Sequence, residues 1–245
     1  MKLAIISDVH ANLPALQAVL ADIAEASGVH RTLCLGDIVG YGASPNECCE
    51  LLREAKATSV KGNHDRTVIE EGREEWFTPQ ARACILWTRE KLEERNRRML
   101  APLPEVRQVE RVTLCHGSLV EPDDYVYSWT EALPSFAKLR THVGFLGHSH
   151  YAAWYYHEAD PPRGDGEMMP LAGTVKVNLD GAYLINPGAV GQPRDGNPAA
   201  AYVLFDDQLE EVEFRRIEYD IEAAAAAIVD AGLPTSMAAR LLSGM

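Results

Sequence analysis

The stretch GFLGHSH, residues 144–150, runs through small and apolar residues to a glycine, then sets two histidines either side of one serine. It reads as a buried strand that delivers polar side chains at its C-terminal end. One pair of histidines decides nothing by itself, so the reading turns on whether other runs end the same way. They do: SDVH (7–10), GD (36–37), GNHD (62–65) and CHG (115–117) each close a short apolar run. Of the eight histidines in the chain, His10, His64, His116, His148 and His150 belong to these endings, which a random scatter would not give. The glycines at 36, 62, 117 and 147 fit sharp turns that bring the backbone close to a central point.

Between these endings lie helical patterns. Asn12 and Pro14 mark a helix start, and Leu13, Leu16, Val19, Leu20 and Ile23 recur at helical spacing until Gly28. Pro45 to Lys56 reads as a second helix, residues 78–98 as one long charged helix, and a further helix falls around 130–140. The last third changes character: 151–157, 173–179, 181–191, 200–206 and 210–219 read as strands. The Pro/Gly-rich segment 158–170 reads as an exposed loop, and an alanine-rich helix from Asp220 closes the chain. Strands that alternate with helices early and dominate late predict a mixed α/β (α+β) architecture, a four-layer αββα sandwich of two mixed sheets flanked by helices. Residues 1–245 are expected to form one domain. The early strands should be substantially parallel, placing their C-terminal ends along one edge, where ligands collect in such folds.

The bulk numbers narrow the class. With 47% hydrophobic and 24% charged residues the chain can bury a large core. It holds no apolar run of about 18 residues, so no transmembrane helix is expected, and its first apolar run is too short for a signal peptide. Five cysteines without CxxC spacing read as small buried hydrophobes in a reducing compartment, with cytoplasm the default. A formal net charge of −13 makes a nucleic-acid partner an unfavoured expectation. A symmetric homodimer is the base-rate assembly.

Imidazole nitrogens, carboxylates and one amide oxygen suit divalent Mn, Fe, Zn or Ni, not an all-oxygen calcium site. There are more donors than one ion can use. Two ions about 3.5–4 Å apart, sharing one carboxylate, consume them and are typical of phosphate-ester hydrolysis.

The ordered set D-x-H, G-D, G-N-H-D, H-G, G-H-x-H over residues 8–150 resembles the calcineurin-like metallophosphoesterase family, and NPGAVGQPRDG (186–196) is similar to its small prokaryotic, phosphodiesterase-like branch. The resemblance implies that Asp8, His10 and His150 hold one ion, that Asn63, His116 and His148 hold the other, and that Asp37 bridges. It also implies that His64 is a non-ligand histidine contacting a phosphoryl oxygen or assisting the leaving group. A hydroxide shared by the two cations would attack phosphorus in line. Placing the two histidines around Ser149 on different ions requires an irregular loop at that strand end. Asp65 reads as the N-cap of the following helix. Arg194 either clamps a substrate phosphate or pairs with Asp195 or another acid, and Trp76 with Phe77 reads as a hydrophobic anchor between helices in preference to the lining of a substrate mouth.

One departure bears on substrate. Phosphoprotein phosphatases of this superfamily follow their GD element with V-D-R-G, whereas here it reads GDIVGYG (36–42), with Gly40 and Tyr41 in place of that acid and arginine. A small phosphodiester or nucleotide-like small molecule is therefore the expected substrate, with a dinucleoside polyphosphate or a phosphomonoester as the alternative. Two rivals of other classes are a protein-binding scaffold on the same fold, as in the retromer subunit that resembles these enzymes, and a DNA nuclease. The intact ligand set with His64 argues against the first, and the acidic balance argues against the second.

Overall fold

Lys2–Ile6 (β1) is buried so completely that Leu3, Ala4, Ile5 and Ile6 have no solvent-accessible surface. A strand covered on both faces has no need of alternating polarity, which is why this run is continuously apolar. In the computed structural model, which describes residues 1–159, 162–178 and 180–245, it lies in the middle of a six-stranded sheet. The order there is β3 (Thr58–Ser59), β2 (Val29–Cys34), β1, β11 (Ala200–Asp206), β12 (Glu211–Ile217) and β9 (Gly173–Lys176). β1, β2 and β3 run parallel, with Ile5 opposite Leu33, and the other pairs are antiparallel.

A second six-stranded sheet follows the order β4 (Val106–Val109), β5 (Val112–Cys115), β6 (Val143–Phe145), β10 (Ala182–Pro187), β7 (Ala152–Ala159) and β8 (Pro162–Met168). Here β5, β6 and β10 are parallel. Leu3 and Ile5 pack with Phe145, Ile185 and Phe205 between the two sheets, while Ala4 and Ile6 pack outward with Leu16, Val19 and Leu52. Those outer partners come from α1 (Leu13–Glu25) and α2 (Pro45–Glu54), with α3 (Asn63–Ile69), α4 (Pro79–Lys91) and α5 (Glu94–Leu100) adding Val68, Ile85 and Leu100. On the far side, Leu184 of β10 meets Ala132 and Phe136 of α6 (Trp129–Phe136). The layers are thus helix, sheet, sheet, helix, as the sequence predicts.

The departures from the expected elements are local. The segment 158–170 is not simply a loop: β8 pairs antiparallel with β7 from Ala153–Met168 to Ala159–Pro162, extending β7 into a hairpin arm. Asp160 and Pro161 within that segment, and Leu179 at the end of the run 173–179, lie outside the described residues. The charged helix 78–98 is two helices, because Asn46 inserts at the junction, donating to the Lys91 carbonyl and accepting from the Glu93 amide. The chain closes with two helices, not one. Asp220 caps α7 (Ile221–Asp230), Gly232 turns at φ +73°, and α8 (Thr235–Ser243) folds back. The pair buries Ile228, Met237 and Leu241 in a cluster with Tyr41, Ala81 and Cys84. No helix among the described residues is long and apolar enough to cross a membrane.

Candidate metal centre

The C-terminal ends of β1, β2, β5 and β6, with the start of α3 after β3, bring all seven expected ligands to one place. Asp8, His10, Asp37, His116, His148 and His150 are buried there, and Asn63 is half-buried. Asp8, His10, Asp37, His148 and His150 all have left-handed backbone, with φ between +47° and +66°. For residues with a side chain this costs of order 1–3 kcal/mol each and persists only where the surroundings enforce it. The irregular loop expected around Ser149 is therefore present, and it recurs at the other strand ends.

The two aspartates divide their oxygens in the same manner. Asp8 accepts from the His148 backbone N–H with Oδ2 (3.1 Å) and turns Oδ1, which has no hydrogen-bond partner among the described residues, toward His150 Nε2 (3.3 Å) and His10 Nε2 (3.8 Å). Asp37 accepts from the His64 backbone N–H with Oδ1 (2.9 Å) and turns Oδ2 toward His116 Nε2 (3.3 Å) and His10 Nε2 (3.6 Å). Gly62 permits that approach, since a Cβ there would lie 2.0 Å from Asp37 Oδ1.

The histidines are oriented by backbone carbonyls. Nδ1 of His10, His116 and His150 faces the carbonyl oxygens of Val39 (3.3 Å), Leu35 (2.9 Å) and Gln192 (2.6 Å). A carbonyl can only accept, so each Nδ1 carries the proton and each Nε2 faces the centre. His148 is reversed: its Nε2 donates to the Asp123 carbonyl at 3.0 Å, which leaves the lone pair on Nδ1. Asn63 Oδ1 lies 3.0 Å from His116 Nε2.

Burial pulls His10 and His150 well below the ordinary imidazole range and His148 to about 3, so these rings are neutral, the form that ligates. Burial raises Asp8 to about 6, and the nearby Asp37 carboxylate adds to that rise. Burial opposes charge on His116 too, but Asp37 outweighs it and lifts this ring to about 10. Two carboxylates and a set of inward lone pairs thus favour positive charge at this spot. Three ligand triplets, Asp8–His10–His150, His10–Asp37–His64 and Asp37–His116–His148, each have donor atoms within 4.8 Å of one another. Donor chemistry, the unpartnered Asp8 oxygen and the inward nitrogens all fit divalent cations of the nitrogen/oxygen-preferring kind.

His64 stands beside this cluster and packs against Tyr41 (4.4 Å between ring centroids), His10 (4.9 Å) and Phe77 (5.0 Å). Its Nδ1 lies over Gly40, where a Cβ would approach to 2.4 Å. The GDIVGYG departure therefore has a local meaning: Gly40 and Tyr41 fill the space beside His64 with a bare backbone and an aromatic ring. Burial lowers the His64 imidazole to about 4. Asp65 is not the N-cap. It is the third residue of α3, where it accepts from the amides of Gly62, Ile38 and Val39 and ties the second and third strand ends together. Asn186 and the NPGAVG turn are similarly structural: Val190 and Gly191 donate to the carbonyls of Ser7 and Asp8.

A cleft of about 330 Å³ opens over Asp37, Asn63, His64, His148 and His150. Arg194 lines it, hydrogen-bonded to Gln192 (3.2 Å) and Tyr41 (3.5 Å). The Asp195 pairing does not form, because Asp195 binds Arg216 in a buried ion pair. Trp76 is 79% exposed and lines the same cleft, so it is no buried anchor; Phe77 lines it too while packing on His64. Sequence reasoning noted Tyr41 only as a departure and missed Asp123 and Tyr125, because the positions of all three depend on loops with no periodic pattern.

Buried acid–imidazole clusters at the parallel-strand edge of an αββα sandwich define a metal-dependent phosphoester hydrolase, and the comparisons agree. The family model for the calcineurin-like phosphoesterase superfamily domain matches residues 1–208, and the chain belongs to that superfamily. A metallophosphoesterase from Sphaerobacter thermophilus superposes with a TM-score of 0.87 at 39% identity, covering 100% of both chains. An uncharacterised protein of Methanocaldococcus jannaschii, MJ0912, is 37% identical over 99% of this chain and 98% of its own. Phosphodiesterase YfcE of Escherichia coli is 26% identical over 85% of this chain and 90% of its own.

Proposed function

We propose that the protein hydrolyses a small phosphodiester or nucleotide-like compound at a two-cation centre. The observation that carries this reading is the position of Asp37: its Oδ2 faces at once His10, of the Asp8–His10–His150 triplet, and His116, of the Asp37–His116–His148 triplet. Asp8, His10 and His150 would hold one ion, Asn63, His116 and His148 the other, with Asp37 shared. Two such cations, when bound, supply charge neutralisation for phosphoryl oxygens and water made acidic near neutral pH.

The chain's own residues then set what reacts and how. The carbonyls of Val39, Leu35 and Gln192 fix which nitrogen of three histidines faces inward, so no ring must reorient during turnover. His64, held between Tyr41 and Phe77, is the group placed to hydrogen-bond a phosphoryl or leaving-group oxygen. Arg194 offers a guanidinium with no carboxylate partner among the described residues, the geometry for a bidentate clamp on phosphate. Burial of the acid–imidazole cluster excludes bulk water and strengthens each of these contacts.

A dinucleoside polyphosphate or a phosphomonoester is the alternative substrate within the class. A scaffold role is disfavoured because His64 and the seven expected ligands are all retained and gather at one strand edge. The five cysteines are buried free thiols, which supports a reducing, cytoplasmic setting. Packing of α7 and α8 against Tyr41 and Ala81 supports one domain over 1–245. A symmetric homodimer, the commonest soluble assembly, is the proposed oligomer, and light scattering tests it. The deciding experiment is turnover of monoesters, diesters and dinucleoside polyphosphates with Mn, Fe, Zn or Ni, beside Asp37→Ala. Metal-loaded protein inert on the whole panel, or full activity in Asp37→Ala, overturns the reading.

A further inference from the structure

The loop that supplies the Asp123 carbonyl to His148 also builds a short aromatic column. Tyr125 stacks on the His148 ring at 4.0 Å between centroids with 15° between planes, and Tyr127 stacks on Tyr125 at 5.5 Å and 12°. Tyr151 stands perpendicular to Tyr127, with 5.6 Å between ring centroids. Tyr125 is 46% and Tyr127 41% exposed, while Val126 between them is buried. Alternation along an extended segment puts the two tyrosines on one side and the valine in the core.

The segment is held in place. Tyr155 donates its hydroxyl hydrogen to the Val126 carbonyl at 3.3 Å, and the Tyr127 N–H donates to Glu131 at 2.7 Å. The column is therefore preformed, and its inner rings are only partly covered by their neighbours, since Tyr125 and Tyr127 both keep a large exposed share. Tyr125 lines the cleft, and Trp76 lines the same cleft with the Arg73 guanidinium 5.8 Å from its ring centre. Flat, exposed, rigid rings that begin at a residue of the reaction centre and lead outward offer one kind of contact above all: the face of another planar ring.

We propose that Tyr125 and Tyr127 form a stacking subsite for a planar aromatic group of the substrate, a nucleobase in the first instance, carried on the phosphoryl group seated beside His148. The assignment rests on the phosphoester reading for the position of that phosphoryl group. Arg194 and Arg240 line the same cleft, and neither forms an ion pair among the described residues, which suits a ligand bearing negative charge next to its ring.

Three esters with one leaving group isolate the contact: thymidine 5′-p-nitrophenyl phosphate, phenyl p-nitrophenyl phosphate and ethyl p-nitrophenyl phosphate. The same P–O bond breaks in each, and only the retained group differs. In Tyr125→Leu and Tyr127→Leu the thymidyl-to-ethyl ratio of kcat/KM should fall about ten-fold, the low end for one base stacked on one aromatic ring. Tyr127→Phe, which keeps the ring, should keep the ratio. A matching fall for the phenyl ester assigns the subsite to any flat ring, and a fall confined to the thymidyl ester assigns it to a base. A ratio unmoved in both leucine variants overturns the inference. Saturation-transfer NMR of thymidine 5′-monophosphate on metal-free protein separates the two readings. Base protons saturated by wild type and not by Tyr127→Leu, with none of the three esters hydrolysed, would leave the stacking subsite standing and the hydrolase reading fallen. Hydrolysis of the ethyl ester without any tyrosine-dependent ratio or saturation would do the reverse.

Discussion

His10 Nε2 and His150 Nε2 face each other across 3.1 Å, although each ring already gives its Nδ1 proton to a backbone carbonyl. Two lone pairs aimed at one another repel, and Asp8 Oδ1 beside them adds a third. A cation placed among the three relieves that repulsion, the role proposed for this cluster, and would offset the left-handed backbone needed to build it.

Removing one member should therefore cost metal before it costs fold. His150→Ala is expected to weaken cation binding by more than about 100-fold, beyond the 10–100-fold cost of disturbing a supporting partner. Metal content by mass spectrometry after dialysis reads this. Asp37→Asn should deplete both proposed ions, whereas His150→Ala should spare the one near His116. Equal, full occupancy in both variants would contradict the assignment.

His64 should behave differently, because it sits beside the ligands and is not proposed as one of them. His64→Ala is expected to lower kcat by about 10²–10⁴-fold, the range for a positioned proton-transfer group. Its metal content should match wild type. A variant that loses activity only in proportion to lost metal would show that His64 is a ligand.

Gly40 gives a stricter test of the same pocket. Its φ of +91° disfavours any side chain, and a Cβ would lie 2.4 Å from His64 Nδ1. Gly40→Ala should lose about 1–3 kcal/mol of stability from backbone strain, measured by urea unfolding. It should also lower kcat, because His64 must move. Wild-type stability and activity together would refute the crowding.

Most of the candidate site was legible because metal chemistry would restrict which residue types can stand at a strand end. Asp8, His10, Asp37, Asn63, His116, His148 and His150 announce themselves by type and place, and the apolar runs before them announce the strands. The rest depends on tertiary contacts with no periodic trace. Asn46 divides the helix expected over 78–98 from some fifty residues away along the chain. The Pro/Gly-rich segment after β7 gains its strand by pairing with Trp154 and Tyr156, which local propensity does not register. Tyr125 and Tyr127 acquire meaning only when His148 arrives beneath them.

The core makes a separate prediction. Phe145 has no exposed surface and packs against Phe205 at 5.8 Å, joining the two sheets directly behind the strand end that carries His148. Phe145→Ala should destabilise the protein by about 3–5 kcal/mol. The loss is expected as a lower urea midpoint at unchanged slope. A shift no larger than that of a surface substitution would mean the sheets do not meet there.

Acid should expose one more tie between elements. Asp22 of α1 accepts from the hydroxyl of buried Tyr202 and from Arg215 Nη1 at 2.9 Å, linking the helix to β11 and β12. Partial burial pushes this carboxyl up, but the hydrogen bonds from Tyr202 and Arg215, with the arginine's charge, outweigh it and hold Asp22 below the ordinary carboxylate range. The folded pKa is thus lower than the unfolded value of about 3.9. Its stabilisation is present above that value and is lost as pH falls through the folded one. Because the group is partly exposed, solvent screening keeps the contribution small. Urea unfolding of wild type and Asp22→Asn should show wild type more stable at pH 6, with the gap closing as pH drops below about 3.9. A gap that stays constant, or widens in acid, would mean that Asp22 is not bound more tightly as the anion in the folded state.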